Sequence, residues 1–546
     1  MFVILPYPAL TYKIHAMADG SISSLSQKSV AREPATWARW VMPSIADLIF
    51  IALLACLCFT TLSSKLLNDA GIGWHIRTGQ AILATHHIPQ TDRYSSIMAG
   101  KPWIAWEWLY DVIVGALDSS LGLNGVVWFA AVMIATTFAW IFHYMVARGT
   151  SLFTAVALIL LATSASMIHV LARPHVLTWF FVVLWFSILD SSERDCFAAT
   201  IRPQERRLWL LPLSMIVWAN VHGGFLLGLV LCVIFWLSSL CTWSTARGIG
   251  FEDALRQIAR AKHLRDLSWV TLLSVAATLV NPYGWHLHRH IFSYLTNSFL
   301  MNHIEEFQSP NFHQLAPKFF LAIVILTFAA VAIRYRRMRV SEILVAALSV
   351  YAGLSASRNL PIASILLVLV AGPILPRLRR VAHFADRMKA VDSSLRGHLW
   401  CIAVLIFVFV LDLNNGRLSG KLVADAHFDP NRMPMGALNY LEKNGISEPI
   451  LTPDYWGGYV IYRLYPSTKV VIDDRHDLYG VQILASYLKM IHLQPGWDAF
   501  LRDSQTSCLV MPTDAAITAM LNQTPGWKSV YSDSVSTVFH KVDPTR

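Results

Sequence analysis

Apolar runs of about 20 residues recur along this chain up to Leu413, and this pattern constrains the fold more than any other feature of the sequence. The first run extends from Ile45 to Ser64, which as a helix is long enough to cross about 30 Å of hydrocarbon. Backbone groups that face lipid find no water to bind, so such a chain crosses the bilayer as α-helices. The sequence therefore predicts a multi-pass helical membrane protein that lies in the lipid bilayer.

The number and placement of the charged residues support a membrane protein and argue against a nucleic-acid partner. Only 14% of the residues are charged, whereas soluble domains average about a quarter. Lys and Arg outnumber Asp and Glu by 32 to 21 up to Leu413, and the counts are 12 and 13 after it. The basic residues form short clusters between apolar segments, which is typical of topology signals. They do not form one aromatic-studded face, so nucleic acid is not a predicted partner.

We predict about eleven transmembrane helices. Each predicted helix covers one apolar run of the sequence. The predicted spans are residues 43–64, 123–145, 151–169, 175–190, 207–221, 223–243, 268–284, 317–334, 340–356, 359–376 and 397–413.

The segment from Trp106 to Gly122 decides the topology. It could be a twelfth span, but it carries Glu107, Asp111 and Asp118 on an amphipathic pattern. If it lies on the membrane surface, the four most basic loops all fall on the cytoplasmic side, as the positive-inside rule requires. Making it a span would put all four loops outside, so we predict a surface segment. The four loops are residues 194–207, 256–265, 334–339 and 377–389.

This topology divides the chain into three parts. Residues 1–42 are predicted as a cytoplasmic N-terminal segment, and residues 43–413 as a transmembrane domain with its first external loop at 65–122. Residues 414–546 are predicted as a periplasmic α/β domain, because an odd number of spans puts the two ends on opposite sides. Polar, histidine-rich loops converge on the same external side. We therefore expect a plasma membrane protein, the inner membrane of a bacterium, with its functional surface outside the cytoplasm.

The first external loop holds an acid close to the membrane surface. Asp69 begins this loop just past the first span, and His75 follows six residues later. A carboxylate there can accept a proton from a sugar hydroxyl, or hold a divalent cation such as Mg²⁺ or Mn²⁺. Asp69 could instead simply cap the short helix after it. We predict Asp69 and His75 as the catalytic residues.

Glu107 lies farther along the same loop, between Trp106 and Trp108. Tryptophans cluster in this way at membrane interfaces, so an anchored surface helix is the simplest interpretation. Glu107 and Asp111 are nevertheless one helical turn apart and share a face. The two carboxylates could help to hold a metal ion or an acceptor molecule, and we predict Glu107 as part of an acceptor-binding site.

Four basic side chains on the external side could bind a phosphate. Arg173 and His175 lie between the third and fourth spans, His286 lies in a turn rich in Gly and Pro, and Arg358 stands between two later spans. An arginine can give phosphate two parallel charge-assisted hydrogen bonds. Both arginines could also be snorkelling or anchoring residues at the interface. Zinc is a less favoured alternative, because no Cys accompanies these histidines and no His-Glu-x-x-His helix exists.

The chain after Leu413 alternates helix and strand signals. We predict helices at residues 435–444 and 481–491, strands at 449–452, 469–472 and 507–511, and paired strands around Val530 and Val538. Two predicted loops, 453–459 and 473–480, carry aromatic, Gly and acidic residues that acceptor sites often use. The same residue types also form rigid turns. The acceptor-binding candidates in these loops are Asp454, Tyr455, Trp456 and Asp473.

As an architecture over residues 43–546, the chain resembles the GT-C superfamily of glycosyltransferases. Those enzymes have an acid and a surface helix in the first external loop, polar residues in the second, and often a periplasmic C-terminal domain. Asp69 matches the first acid in position. Arg173-Pro174-His175 stands where many relatives carry an arginine followed shortly by an acid. That acid is missing here, which speaks against a metal-bridged pair and favours a metal-independent site.

A second, shorter resemblance lies in the C-terminal domain. The segment from Asp454 to Tyr459, followed by Val471-Ile472-Asp473, is similar to the Trp-Trp-Asp-Tyr-Gly segment and downstream Asp of oligosaccharyltransferases. The residue order differs, so peptide recognition does not carry over. The nearest relatives by this resemblance are uncharacterised bacterial members described as mannosyltransferase-like.

The resemblance implies an inverting glycosyltransferase. Its donor would be a polyprenyl-phosphate-linked sugar, and its acceptor a glycan, lipid or protein of the cell envelope. Asp69 would deprotonate the acceptor, while Arg173 and Arg358 stabilise the departing phosphate. A transporter or lipid flippase is an alternative that would need a polar path through the spans, where acids are scarce. A non-enzymatic envelope assembly protein is a third reading.

The topology can be tested with single cysteines in a cysteine-free background. The basic loops are predicted to lie on the cytoplasmic face of the membrane. We therefore expect a membrane-impermeant thiol reagent to label His286→Cys in intact spheroplasts and to leave Arg336→Cys unlabelled. Lysed spheroplasts, in which both sites are reachable, serve as the control. Labelling of Arg336→Cys but not His286→Cys in intact cells would invert the topology.

Overall fold

The computed structural model describes residues 36–197, 205–245, 251–375 and 382–542. Most of the predicted N-terminal segment therefore lies outside the described residues, as do Arg202, Arg377, Arg379 and Arg380 of the predicted basic loops. The described chain is mostly helical up to Leu413, and a small sheet with five more helices follows.

The helices up to Leu413 follow the apolar runs of the sequence, as predicted. They are α1 (Thr36–Val41), α2 (Ile45–Phe59), α3 (Leu62–Leu66), α4 (Ile72–Thr85), α5 (Trp108–Ala147), α6 (Leu152–Ser166), α7 (His175–Phe197), α8 (Glu205–Leu208), α9 (Leu210–Val221), α10 (Leu226–Thr245), α11 (Phe251–Ala277), α12 (Trp285–Leu295), α13 (Ser298–His303), α14 (Leu315–Arg334), α15 (Val340–Ser355), α16 (Leu360–Ile374), α17 (Ala382–Ser394) and α18 (Leu399–Leu413).

Seven stretches of the described chain are long and apolar enough to cross a membrane. They are Arg39–Phe59, Trp108–Ala147, Leu152–His169, His175–Cys196, Gly223–Thr245, Leu315–Arg337 and Ser357–Ile374. An eighth candidate arises if α17 and α18, which meet at an angle of 63°, count as one span.

The number eleven is therefore not confirmed. The predicted spans at 207–221, 268–284 and 340–356 fall on α9, α11 and α15, none of which passes the same test. The 12-residue helix α9 is only about 18 Å long, which is shorter than the hydrocarbon layer. The apolar end of α11 is preceded by a charged stretch from residue 252 to residue 266 within the same helix. Whether these three helices cross the bilayer stays a prediction.

The ambiguous segment before the second span is helical and runs directly into that span. Helix α5 contains 40 residues but breaks at Gly122, whose φ of 65° and ψ of −162° are not helical. Glycine adopts such a positive φ at little cost because it has no Cβ atom. The break lies at the boundary that the sequence predicted between a surface segment and a span beginning at 123. The position of the first half relative to the membrane stays a prediction.

Helix α16 lies in the centre of the bundle, where almost all of its residues are buried. It packs against α15, α14 and α6, and Arg358 lies just before its N-terminus. A buried ion-pair network closes the other end of the bundle. There, Arg339 contacts Glu193 and Glu342 at 2.8 Å each, and Asp190 at 2.5 Å. Because burying charges is costly unless they are paired, this network fixes how α7 and α15 meet.

The C-terminal part forms a four-stranded sheet in the order β3-β4-β6-β5. Strand β4 is parallel to β3 and antiparallel to β6, and β5 pairs with β6. These strands confirm the predicted ones near 450, 508, 530 and 538, whereas the predicted strand at 469–472 contributes only single bridges at Val470. The elements are the hairpin β1 (Arg417–Leu418) and β2 (Lys421–Leu422), then α19 (Met435–Lys443), β3 (Ile450–Leu451), α20 (Asp454–Leu464), α21 (His476–Ile491), α22 (Ala499–Asp503), β4 (Cys508–Pro512), α23 (Ala516–Leu521), β5 (Trp527–Ser532) and β6 (Ser536–Lys541).

The predicted loops at 453–459 and 473–480 are wrong in part, because helices α20 and α21 begin within them. The paired glycines that suggested a turn serve close packing instead. A Cβ atom on Gly458 would overlap the carbonyl oxygen of Ala70, and one on Gly73 would overlap the carbonyl oxygen of Gly458. Helices α4 and α20 can therefore touch backbone to backbone, which brings the first loop against the C-terminal part.

Further contacts join the same two regions. Val470 forms a parallel bridge with Ser95, and the buried guanidinium of Arg475 contacts Asp92 at 2.8 Å. The Nε atom of Arg77 donates a hydrogen bond of 2.9 Å to the carbonyl of Tyr462. The first loop and the C-terminal part are thus packed as one unit.

The glycine contact gives a stability test. We expect Gly458→Val to lower the melting temperature in detergent, because overpacking at a tight contact costs about 1–3 kcal/mol. Gly223→Val is the control, since a Cβ atom there meets its nearest neighbour, Trp106, at an ordinary 3.5 Å. Equal melting temperatures for the two variants would show that the α4–α20 contact does not support the fold.

Candidate functional site

Arg173 is the centre of a cluster that joins three parts of the chain. It lies in the turn before α7, where Pro174 ends the preceding segment. Its Nε atom lies 3.5 Å from Oδ2 of Asp69 in the first loop, and Nη1 lies 3.2 Å from Oδ2 of Asp474 in the C-terminal part. The guanidinium also lies over the ring of Trp74 at 5.9 Å. Two carboxylates and an aromatic face therefore fix its orientation.

Asp69 has two partners in this cluster. Its Oδ1 atom accepts a hydrogen bond of 2.8 Å from the backbone N–H of Gly71, so it shapes the turn that leads into α4. Its other oxygen faces Arg173, and about a third of the side chain is exposed. The structure thus accommodates both sequence interpretations of Asp69, a local turn residue and a residue of the site.

Asp474 belongs to the site, although sequence reasoning selected its neighbour Asp473. The indole Nε1 of Trp74 donates to Asp474 at 3.0 Å. Burial raises the pKa of the Asp474 carboxyl to about 6; Arg173 lowers it and Asp69 raises it further. Asp473, by contrast, is fully buried and accepts hydrogen bonds from Arg475 at 2.7 Å and Tyr479 at 2.8 Å. The acceptor role of Asp473 stays a prediction.

Glu107 faces two imidazoles. Its Oε2 atom lies 3.8 Å from Nε2 of His75, and its Oε1 atom lies 3.7 Å from Nε2 of His222. All three side chains are buried. Burial raises the pKa of the Glu107 carboxyl to about 7, and the positive charges of Arg173 and Arg358 offset only part of that effect.

His75 is held rigidly behind Glu107. Its Nδ1 atom lies 2.5 Å from Oδ1 of Asp111, and its ring stacks on Trp74 at a centroid distance of 3.6 Å. Burial lowers the pKa of His75 well below its usual value, and the charge of Arg173 lowers it further. His75 is therefore neutral at physiological pH. Burial has the same effect on the pKa of His222.

Arg358 has its own carboxylate partner. Its Nη1 atom lies 2.9 Å from Oε1 of Glu306, and its guanidinium lies 5.2 Å from the ring of Phe307. His175, another predicted phosphate-binding residue, pairs its Nε2 with the backbone carbonyl of His169 at 2.7 Å. The charges of Arg173 and Arg358 both act on Glu107, so the two arginines belong to one cluster.

His286 lies apart from these contacts. It is exposed on α12, and its ring lies 4.3 Å from that of Trp285. Its neighbour on the same helix, His290, is the one that faces the cluster, because its Nε2 lies 3.0 Å from Asp477 and its ring contacts Trp106. The phosphate-binding role of His286 stays a prediction.

The predicted acceptor residues of α20 differ in what they contact. Both carboxylate oxygens of Asp454 are engaged, one with Nε2 of His476 at 2.7 Å and one with the hydroxyl of Tyr487 at 2.9 Å. Trp456 is buried and donates to the carbonyl of Arg432 at 2.7 Å. Tyr455 is exposed by 56%, so among these three it presents the largest surface to a ligand.

The residues present do not fit a divalent cation at Asp69. The guanidinium of Arg173 lies between the carboxylates of Asp69 and Asp474, where a bridging Mg²⁺ or Mn²⁺ would have to bind. No group of three or more His, Cys, Asp or Glu side chains in the described part of the chain has the geometry of a metal site. We derive no step through a metal ion.

Sequence reasoning missed His222, Glu306, Asp474 and His290 as members of the cluster. Their segments were recognised as polar turns on the external side, but the sequence gives no distance between such turns. The Asp473-Asp474 pair shows the difficulty, since both carboxylates follow the same buried segment and only packing decides which faces Arg173.

The His476–Asp454 pair predicts a pH dependence of stability. Burial lowers the pKa of His476, but the hydrogen bond and charge of Asp454 raise it more, so the net shift is upward. The folded state therefore holds this proton more tightly than the unfolded state, and the stabilisation is full below about pH 6.5 and is lost as pH rises through the folded pKa. We expect the melting temperature of the wild type to fall more steeply than that of His476→Gln between pH 6 and 9. Parallel curves would contradict the assignment.

The comparisons with known proteins concern the fold. No family model and no curated protein match this sequence. The oligosaccharyltransferase of Archaeoglobus fulgidus in its apo form is 9% identical, with a TM-score of 0.56 over 86% of this chain and 69% of that chain. The same enzyme tethered to an acceptor peptide containing the NVT sequon is 10% identical, with a TM-score of 0.53 over 91% and 74%.

ArnT from Cupriavidus metallidurans bound to undecaprenyl phosphate is 12% identical, covering 92% of this chain and 97% of that chain, but its TM-score of 0.44 is too low to support an argument. The chain shares the fold of the two oligosaccharyltransferase structures, which confirms the resemblance in architecture that the sequence suggested.

Proposed function

We propose that this protein is a membrane glycosyltransferase that moves a sugar from a polyprenyl-phosphate-linked donor to an acceptor outside the cytoplasm, with inversion at the anomeric carbon. The observation that carries the proposal is the placement of Arg173 and Arg358 in one cluster with acids and neutral imidazoles. Each arginine lies just before an apolar helix, Arg173 before α7 and Arg358 before α16. A lipid-linked phosphate binds near the ends of such helices, because its lipid tail stays in the hydrocarbon layer.

The ion pairs of the two arginines suit a phosphate that binds and is released in each turnover. Arg173 is paired with Asp69 and Asp474, and Arg358 with Glu306. A phosphate diester can replace a carboxylate on each guanidinium, because both anions accept the same pair of charge-assisted hydrogen bonds. The carboxylates keep the arginines paired between turnovers, so no cation is left buried and unpartnered.

In this scheme the acceptor attacks the anomeric carbon from the face opposite the phosphate. The bond to the phosphate oxygen breaks, and the arginines stabilise the negative charge that develops on the leaving group. A carboxylate of the cluster takes the acceptor proton, and the sequence candidate for that base is Asp69. His175 and His286 complete the predicted donor side, while Glu107 and the exposed ring of Tyr455 lie on the predicted acceptor side.

Mass spectrometry of cell-envelope glycans, glycolipids and glycoproteins, with and without this protein, tests the class of function. We expect one hexose or pentose to disappear from the envelope of the deletion strain. Purified protein in nanodiscs should also release undecaprenyl phosphate from a synthetic undecaprenyl-phosphate-linked sugar when envelope extract is added. Unchanged glycans together with altered solute uptake would point to transport instead.

The arginines can be tested by conservative substitution. Because lysine offers phosphate a single point charge and not a planar fork, we expect Arg173→Lys and Arg358→Lys each to lower turnover roughly tenfold or more, at about 1.4 kcal/mol for each factor of ten. If both bind one phosphate, the double variant should depart from additivity. Turnover per folded molecule is the measurement.

Arg463→Lys is the matched control, because Arg463 lies on α20 and pairs with Glu442 away from the cluster. We expect it to keep wild-type turnover. Losses at Arg173 and Arg358 that add independently, or that appear only as lower melting temperatures, would assign these arginines to structure and not to a shared phosphate site.

A further inference from the structure

The Glu107 carboxyl is placed between two imidazoles that present different chemistry to it. His75 comes from α4 and His222 from the turn after α9, and each points its Nε2 atom at one oxygen of Glu107. The protonation of each ring follows from the partner of its other nitrogen. These partners can be read from the hydrogen bonds.

On the His75 side, the position of the ring proton depends on Asp111. The Nδ1 atom of His75 lies 2.5 Å from Oδ1 of Asp111. An ionised Asp111 accepts a hydrogen bond, which places the proton of the neutral ring on Nδ1 and leaves Nε2 as an acceptor. A protonated Asp111 donates to Nδ1 instead, which places the ring proton on Nε2. In either case Nε2 is buried, has no hydrogen-bond partner among the described residues and is available to Glu107.

On the His222 side, Nε2 carries the proton. Its Nδ1 atom accepts from the backbone N–H of Gly224 at 3.1 Å and pairs with the hydroxyl of Thr178 at 2.8 Å. That hydroxyl accepts from the indole of Trp218 at 2.9 Å, so its own proton is free to point at Nδ1 of His222. In the neutral ring the proton must therefore be on Nε2, which can donate to Glu107.

The carboxylate of Glu107 can thus accept from Nε2 of His222, whichever state Asp111 and His75 adopt. With Asp111 ionised, the carboxylic acid of Glu107 can also donate to Nε2 of His75. The distances of 3.7 and 3.8 Å exceed those of a formed hydrogen bond, but catalytic contacts are often long without substrate and tighten in the complex. A group that is stabilised in both states is suited to take up a proton and release it again.

Building on the proposed function, we propose that Glu107 is the general base of the transfer and that the acceptor nucleophile is a hydroxyl group. The acceptor O–H bond breaks as its oxygen bonds to the anomeric carbon, and the proton goes to Glu107. The bond from that carbon to the phosphate oxygen breaks at the same time, and the electron pair leaves with the polyprenyl phosphate. His75 and His222 stay neutral and act as positioning residues, and Glu107 returns its proton to water before the next turnover.

The location and electrostatics of Glu107 support this role over Asp69. The edge of the Glu107 side chain reaches the surface by 11%, whereas His75 lies fully buried behind it. Asp69 is committed to Arg173 and to the Gly71 turn. A base works best with a pKa near the working pH, and burial places that of Glu107 at about 7. The charged and titratable groups around it are His75, His222, Arg173, Arg358, Asp474, Asp477, Asp111, Tyr110 and Tyr294.

Infrared titration tests the proton site without a substrate. Between pH 5 and 9, the spectrum of the wild type minus that of Glu107→Gln should show the C=O stretch of a buried carboxylic acid that disappears with a midpoint near 7. Bands of other buried acids, such as Asp474, occur in both spectra and cancel. The wild type minus Glu442→Gln, a change at a half-exposed acid on α19, should lack such a band. A wild type minus Glu107→Gln spectrum without this band would overturn the assignment.

The two histidines can be tested through the midpoint of the Glu107 band. His222→Phe removes the donor that stabilises the carboxylate, so the midpoint should rise. His75→Phe removes the acceptor that stabilises the acid when Asp111 is ionised, so the midpoint should fall. Both changes keep a ring of similar size, and a merely structural role of the histidines would not move the midpoint in opposite directions. A rise in both variants would make His75 a second donor beside a protonated Asp111, and an unchanged midpoint in His222→Phe would overturn the positioning role.

Kinetics then separates this inference from the proposed function. With a synthetic undecaprenyl-phosphate-linked sugar as donor, kcat/KM should rise tenfold per pH unit up to about pH 7, and Glu107→Gln should lose about 10²-fold or more together with that rise. Asp69→Asn should keep the rise even at a lower rate. If the wild type transfers sugar and Glu107→Gln keeps its rate and pH profile, the base is wrong. If the wild type transfers no sugar from any such donor, the proposed function itself fails.

Discussion

The partly buried guanidinium of Arg173 holds the site together, because it is paired with one carboxylate from the first loop and another from the C-terminal part. A partly buried cation is costly without such partners, so these pairs favour the meeting of the three regions at Arg173. The glycine contact between α4 and α20 makes the meeting possible, since any side chain there would push the two helices apart. The cluster therefore depends on packing that lies outside it.

The same electrostatic logic accounts for the protonation states of the two imidazoles and of Glu107 beside the arginines. His75, Glu107 and His222 are buried close to two positive charges, and burial lowers the pKa of the imidazoles while it raises that of the carboxyl. Charge in the cluster is thus concentrated on the arginines and their carboxylate partners. A lipid-linked phosphate would meet two oriented cations, and an acceptor would meet a carboxyl that can change its protonation state near neutral pH.

The comparisons and the site support the proposal in different ways. The likeness to oligosaccharyltransferase structures shows the fold alone, at 9 to 10% identity. The case for sugar transfer rests instead on the arginine cluster, and the arginine between Asp69 and Asp474 distinguishes this site from one built around a bridging metal ion. The fold explains how the parts come together, and the residues decide what chemistry they can perform.

The sequence by itself determined the helical membrane architecture, the break near Gly122 and most strands of the C-terminal sheet. It also placed Asp69, Arg173 and Glu107 in polar segments. These features follow from the length of apolar runs and from local turn residues, which are properties of neighbouring positions in the chain. Only the tertiary structure decided that Asp474 and not Asp473 faces Arg173, that the glycines of α20 belong to a helix, and that His222 faces Glu107. Those outcomes depend on contacts between residues far apart in sequence, such as Arg173 and Asp474, which are 301 positions apart. No local pattern records such distances, since they follow from how buried groups find partners when the whole chain packs.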